Sequence, residues 1–291
     1  MTALQWKRLY AQERTSLGDS GLHALLDAAE QLELSACQGV VFPHTRLEAS
    51  GELSAAAALW ALAQGFDRVL ALGVLHGGRQ SDAQLVTQAR AGDASARQAL
   101  RRVHGEGAPE DAGVWTEEFS LDNFFALLGA AARRKGVNAP QVIARYPFLV
   151  GDRPADVPGM EELERLRVDG VPVLATTDPI HHGAAYGTPP VQRRDRTDAR
   201  TFEFATKAVA QQFALLEEQR YADFQAAAAT FNSDFRDVGP ALAHLLGGGV
   251  IFKLERLRLV DYSQALNAAV PTWVAAALAS VRGKASGQGA S

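Results

Sequence analysis

Seven histidines, His23, His44, His76, His104, His181, His182 and His244, are the side chains best suited to chemistry, and their surroundings sort them. His23 and His244 lie in leucine- and alanine-rich runs of helical spacing, where a helix-surface or core histidine is expected. His104 falls in a polar, alanine-rich stretch and is expected in solvent. The other four follow strand-like runs. His44 comes after Gly39-Val40-Val41-Phe42-Pro43, and His76 after the apolar run from Arg68 to Leu75. His181 and His182 follow Val171 to Thr177 and the turn Asp178-Pro179. Ligands of an open parallel sheet bind beyond the carboxyl ends of its strands, where residues distant in sequence converge. Imidazole nitrogens are the commonest protein metal ligands. Histidines at three strand ends therefore predict a metal-binding cluster. The plainer alternative is that each merely caps its strand.

Asp178, three residues before His181, either orients an imidazole from behind or fixes the turn with Pro179. The basic run Arg193-Arg194-Asp195-Arg196 is interrupted by an acid and predicts a solvated face. Cys37 is the only cysteine, so an intrachain disulfide and a multi-cysteine zinc site are excluded. It precedes a strand with no base beside it, as a small buried hydrophobe would. Gly73 to Gly78 lacks the spacing of a dinucleotide-binding loop, and neither a P-loop nor a serine nucleophile elbow is present.

The elements that must position these residues alternate along the chain. A helix is predicted within residues 1–34 from Leu22, Leu25, Leu26, Ala29 and Leu32. Strands are predicted at Gly39–Pro43, Arg68–Leu75, Gln141–Val150, Val171–Thr177 and Val250–Leu259. Helices are predicted at Ser54–Gln64, Ser120–Lys135, Met160–Val168, one or two within Asp198–Thr230, and Pro240–Leu246. The stretch from Gln80 to Gly113 is a polar excursion, and Thr272–Val281 is an apolar segment of either type. This alternation predicts one α/β domain over residues 1–282, its central mixed, largely parallel sheet covered by helices on both faces. The Gly/Ser/Ala-rich tail, 283–291, is expected to be disordered. With 47% hydrophobic residues the chain can bury a core, and its net charge of −4 argues against nucleic acid or anionic membrane as a main partner. No apolar run approaches the roughly 18 residues of a membrane span, and no secretory leader opens the chain, so a soluble, cytoplasmic protein is expected.

Five segments, in order, resemble the Memo-like family. Pro43-His44 followed by Ser50-Gly51 is similar to its P-H-x-G-Y-x-x-S-G stretch, and Leu72-Gly73-Val74-Leu75-His76 to its L-G-P-x-H. Glu118-Phe119-Ser120-Leu121-Asp122 resembles its E-H-S-x-E with two changes, and Thr176-Thr177-Asp178-Pro179-Ile180-His181 its S-S-D-x-x-H. Gly239-Pro240-Ala241 and Asp261-Tyr262-Ser263 loosely match its C-terminal pattern. That family is similar in fold to the class III extradiol ring-cleaving dioxygenases, non-haem iron enzymes of mixed α/β structure. The resemblance implies that His44 and His76 are metal ligands and that His181 is an acid–base residue. The family's third ligand is a cysteine, and the dioxygenases carry a glutamate in that neighbourhood. Here Asn232 to Val238 offers Asp234 or Asp237, the latter equally placed to cap the next helix. Arg46 replaces the family's glycine and either meets an anionic group of a substrate or pairs with Glu48. His182 stands beside the acid–base position, where a substrate contact is expected. The resemblance implies an Fe(II)-dependent oxygenase using O₂ and a small aromatic or amine-bearing substrate, with Cu or Zn as alternative metals and room for a homodimer. The rival expectations are a non-catalytic Memo-like protein that binds a metal, peptide or metabolite, and a metal-dependent hydrolase.

Overall fold

A computed structural model describes residues 1–34, 36–76, 83–109 and 117–283. The chain order is α1 (Ala3–Ala29), β1 (Gly39–Phe42), α2 (Leu47–Ala63), β2 (Arg68–Leu72), α3 (Ala83–Arg90), α4 (Ala94–Leu100) and β3 (Arg102–His104). It continues with α5 (Asp122–Lys135), β4 (Gln141–Phe148), α6 (Met160–Val168), β5 (Val173–Thr176) and β6 (Ile180–Gly183). It ends with α7 (Ala199–Glu217), α8 (Tyr221–Thr230), α9 (Phe235–Leu246), β7 (Ile251–Asp261) and β8 (Thr272–Arg282).

β1 and β5 are buried throughout and β2 beyond Arg68, which the middle of a helix-covered sheet permits. Their side chains alternate between two cores. Val41, Leu70, Leu72, Val173 and Ala175 pack with α7 and α9 residues such as Val209, Phe213 and Leu242. Val40, Phe42, Val69, Ala71 and Leu174 pack against Leu26, Leu53 and Leu127 of α1, α2 and α5. The protein is a single mixed α/β domain. Its centre, β4-β2-β5-β1, is parallel, and the flanking pairs β1–β8 and β3–β4 are antiparallel. β7 pairs with β8 along nearly its whole length, so β1 and β6 must share the opposite edge of β8. Register matters for the site: Phe42 lies opposite Thr176 and Leu72 opposite Ala175. The segments after β1, β2 and β5 therefore leave the sheet at the same edge.

Several predicted boundaries shift for local reasons. β2 stops at Leu72, although the Gly73 amide still donates to the Arg145 carbonyl at 2.8 Å. The polar excursion holds α3, α4 and β3, and it buries His104 against prediction. That ring lies 3.1 Å from the Leu100 carbonyl and edge-on to Phe148. Thr272–Val281 is strand: ten consecutive buried residues cover both faces of β8. α9 starts at Phe235, five residues before the proline where a helix start was predicted. Pro240 lacks the N–H that would satisfy the Arg236 carbonyl, and Gln225 Nε2 donates to that oxygen at 2.6 Å. Gly77-Gly78 and the tail beyond Gly283 lie outside the described residues. Among the described residues no helix is long and apolar enough to cross a membrane.

Gly183 closes β6 with φ of 111°, and a Cβ there would sit 2.0 Å from the Pro271 carbonyl oxygen. Gly183→Ala should therefore break the β6–β8 pairing and cost about 3 kcal/mol or more. Chemical denaturation measures this; a loss below about 1 kcal/mol would show that the turn relaxes freely.

Candidate metal centre

His44 leaves β1 after Pro43, whose carbonyl accepts from Ser54 Oγ of α2 at 2.7 Å. Its Nδ1 lies 3.2 Å from Thr176 Oγ1 at the end of β5. His76 follows β2 and is fixed by Glu118. That buried carboxylate accepts the backbone N–H groups of His76 at 2.5 Å, Phe119 at 2.8 Å and Ser120 at 2.7 Å. One of its oxygens stands 3.5 Å from His76 Nδ1, and Phe119 stacks on the imidazole. His181 lies on β6, its Nδ1 donating to the Asn232 carbonyl at 2.8 Å. Asp234 immediately precedes α9, where an aspartate would ordinarily cap the helix. Its side chain makes no capping bond.

Instead, Asp234 Oδ2 lies 3.4 Å from His44 Nε2, 3.5 Å from His76 Nε2 and 3.4 Å from His181 Nε2. His44 Nε2 is also 3.5 Å from Asp178 Oδ2. The Glu118 carboxylate and the Asn232 carbonyl can only accept, so they favour a proton on Nδ1 of His76 and His181 and a lone pair on Nε2. Ligands about 2.0–2.2 Å from one ion, at angles near 90–110°, are separated by roughly 3.0–3.5 Å. The distances from His44 and His76 to Asp234, 3.4 and 3.5 Å, meet that requirement, and the donor atoms of all three residues lie within 4.8 Å of one another. A second set with the same property is Asp178, His181 and Asp234. The residues therefore fit a divalent metal.

In the metal-free site the same carboxylates hold a proton on His76, which a metal must displace. Burial lowers the proton affinity of His76, but hydrogen bonds to Asp234 and Glu118, with their charges, raise its pKa to about 10. Burial would raise Asp234, yet the charge of His181 and the hydrogen bonds of His44 and His76 hold it well below the usual carboxylate range. Asp178 is pushed up by burial, against the pull of His44 and His181.

These groups open on a cleft of about 510 Å³ whose far wall comes from α1. Trp6 and Tyr10 stack there, and Tyr10 and Tyr262 share a hydroxyl–hydroxyl hydrogen bond of 2.9 Å. Glu13 anchors this wall: its carboxylate accepts the N–H groups of Leu47 at 2.9 Å and Glu48 at 3.2 Å, at the start of α2. A larger hollow of about 700 Å³ lies along β4, but its principal charges, Arg145 and Glu162, already form a bidentate pair. The histidine cleft is the chemically equipped one.

The structure thus brings together His44, His76, His181, Asp178 and Asp234. Asp178 lines the cleft with its Oδ2 3.5 Å from His44 Nε2, on the cleft-facing side of that ring, while Thr176 occupies the side behind it. Three expected residues stand elsewhere. Asp237 accepts the Val150 amide at 2.9 Å and joins neither donor set, because it points from α9 towards the end of β4. Arg46 does not line the cleft; of its two expected roles the pairing with Glu48 is the one seen, at 2.9 Å, with Glu13 at 3.4 Å as a second partner. His182 alternates with His181 on β6 and faces the other way, stacked on Trp273 and accepting the Arg194 amide at 2.9 Å. Glu118, Thr176, Asn232 and the aromatic wall of α1 are not predicted from the sequence as parts of the site. Glu118 and Thr176 carry a signal there as the first residues of two of the family-like motifs, and Asn232 as the start of the stretch that offers Asp234; the wall of α1 carries none. No protein-family model matches the chain, and no curated protein is significantly similar to it.

Glu118→Gln should weaken metal binding by about 10–100-fold, the usual cost of losing a carboxylate behind a ligating imidazole. Competition with a chromogenic chelator measures it, and an unchanged affinity would remove Glu118 from the site. His182 titrates in the opposite sense to His76: burial, then Arg194 and Arg193, lower it to about 4. The folded chain then binds fewer protons here than the unfolded chain, whose histidine pKa is about 6.5. The stability it contributes is complete above about pH 6.5 and declines as the pH falls towards 4. Unfolding free energies across that window should lose this slope in His182→Gln; an identical slope would assign it to other groups.

Proposed function

We propose that this chain is a non-haem metal-dependent enzyme whose catalytic ion is held by His44, His76 and Asp234, with an Fe(II)-dependent oxygenase as the leading subclass. The observation that carries the proposal is the spacing of two imidazole Nε2 atoms and one carboxylate oxygen, 3.4–3.5 Å between nitrogen and oxygen, at the floor of an aromatic cleft. Two histidines and one carboxylate on one face of Fe(II) leave positions free for O₂ and substrate, the donor set of many non-haem oxygenases. When bound, the ion supplies a place where those two molecules meet and exchange electron density.

The chain's own residues do the rest. Glu118 and Thr176 aim the two imidazoles by engaging their Nδ1 atoms. His181, its Nδ1–H donated to the Asn232 carbonyl, keeps Nε2 free to take a proton from a substrate hydroxyl or amine. Trp6, Tyr10, Tyr186 and Tyr262 provide flat apolar walls for a small ring and exclude water from it. No Lys or Arg is among the described residues lining the cleft, which favours a neutral or cationic substrate over an anion. A small aromatic or amine-bearing molecule meets these conditions.

His44→Ala and His76→Ala should each abolish stoichiometric metal binding while the unfolding midpoint of the metal-free protein stays within a few degrees, because neither removes a large apolar core side chain. His181→Ala should retain metal on the first set and lose at least about 10²-fold in turnover, the usual yield of a positioned base. Metal analysis with oxygen-electrode assays on catechols and aromatic amines tests this. Full metal occupancy in His44→Ala and His76→Ala would sink the proposal; tight metal binding with no turnover on any substrate would favour a binding protein instead.

A further inference from the structure

One ion on His44, His76 and Asp234 leaves two good donors unused in the same cleft. His181 Nε2 is 3.4 Å from Asp234 Oδ2, but His181 does not belong to the set that contains His44 and His76. Asp178 is buried, and its Oδ1 has no hydrogen-bond partner, an arrangement folded proteins seldom tolerate unless something else satisfies the oxygen. Both residues line the cleft. Their positions are fixed by the backbone: the Asp234 amide donates to the Asp178 carbonyl at 3.2 Å, and the His181 amide to the Phe231 carbonyl at 3.0 Å.

We infer that Asp178, His181 and Asp234 form a second divalent-cation site, sharing Asp234 with the first, and that an ion bound there removes His181 as a base. The inference rests on the reading of the first site. Asp234 Oδ2 lies within 3.5 Å of the Nε2 atoms of His44, His76 and His181, so this one oxygen can bridge two ions about 3.5–4 Å apart, the separation common in two-metal centres. Charge supports it: Asp178, Asp234 and Glu118 place three carboxylates around the histidines, and one divalent ion leaves that group negative. Two carboxylates and one imidazole suit Mn²⁺, Fe²⁺ or Zn²⁺. With one nitrogen ligand in place of two, the second site is the weaker and fills when metal is in excess. Coordination occupies the Nε2 lone pair that would otherwise accept the substrate's proton, so the second ion inhibits.

The test uses the full chain, stripped with chelator and titrated with Mn²⁺, read by metal analysis and by electron paramagnetic resonance. Wild type should bind two ions in a tight and a weaker step, and the doubly loaded protein should show the signal of an exchange-coupled pair. Asp178→Asn and His181→Gln should each bind one ion, with an isolated-ion signal only; should one of them misfold by circular dichroism, the other decides. One ion in wild type, lost in His44→Ala but kept in Asp178→Asn and His181→Gln, would overturn the second site and leave the first standing. No bound ion in wild type would overturn both.

Discussion

A single carboxylate oxygen, Asp234 Oδ2, with three imidazole nitrogens within 3.5 Å of it, is the interaction on which the rest of the site depends. Asp234 sits where an aspartate would normally cap a helix, and the structure diverts its side chain from that task. The Phe235 amide is taken instead by Ser233 Oγ at 3.1 Å. The helix behind it is held by apolar packing, with Phe235, Val238 and Leu242 fully buried. Asp234 is thus presented from a rigid element, which a ligand needs if its position is to be kept within tenths of an ångström.

The sheet supplies the other half of the arrangement. Parallel pairing of β1, β5 and β2 brings Pro43-His44, Thr177-Asp178 and the loop to His76 to one edge. Side chains separated by more than a hundred residues become neighbours there, as His44 and Thr176 do. β6 then turns back along β8 and, by strand alternation, sends His181 to the cleft and His182 to the core of the opposite face. A one-residue slip in that register would exchange the two rings.

The cleft's wall is built as firmly as its floor. Glu13 accepts two amides of α2, and Lys7 Nζ donates to the Glu118 carbonyl at 3.0 Å, tying α1 to the segment that orients His76. Tyr262, from the loop after β7, joins Tyr10 and also accepts the Arg46 amide at 3.1 Å. α1, α2 and the loop between β7 and β8 therefore share one network around the site, and the N-terminal helix is part of the pocket.

The α/β alternation and the placing of His44 and His76 just beyond β1 and β2 were readable from the chain alone, because a buried apolar run and the residues ending it are local features. β6, the short strand that carries His181, was not, because it is defined by its pairing with β8 about ninety residues on. The sequence could not separate Asp234 from Asp237. The two stand three residues apart at the start of α9, and only the packing of that helix turns one towards the histidines and the other towards Val150. Nor could it show that Arg46 is consumed by Glu13, 33 residues earlier, or that His104 is buried beneath its polar excursion. Glu118 was legible only as a motif letter. Its grip on His76 spans 42 residues and exists only once β2 and the start of α5 meet. Local pattern fixes which side chains leave the sheet; long-range packing decides which of them face one another.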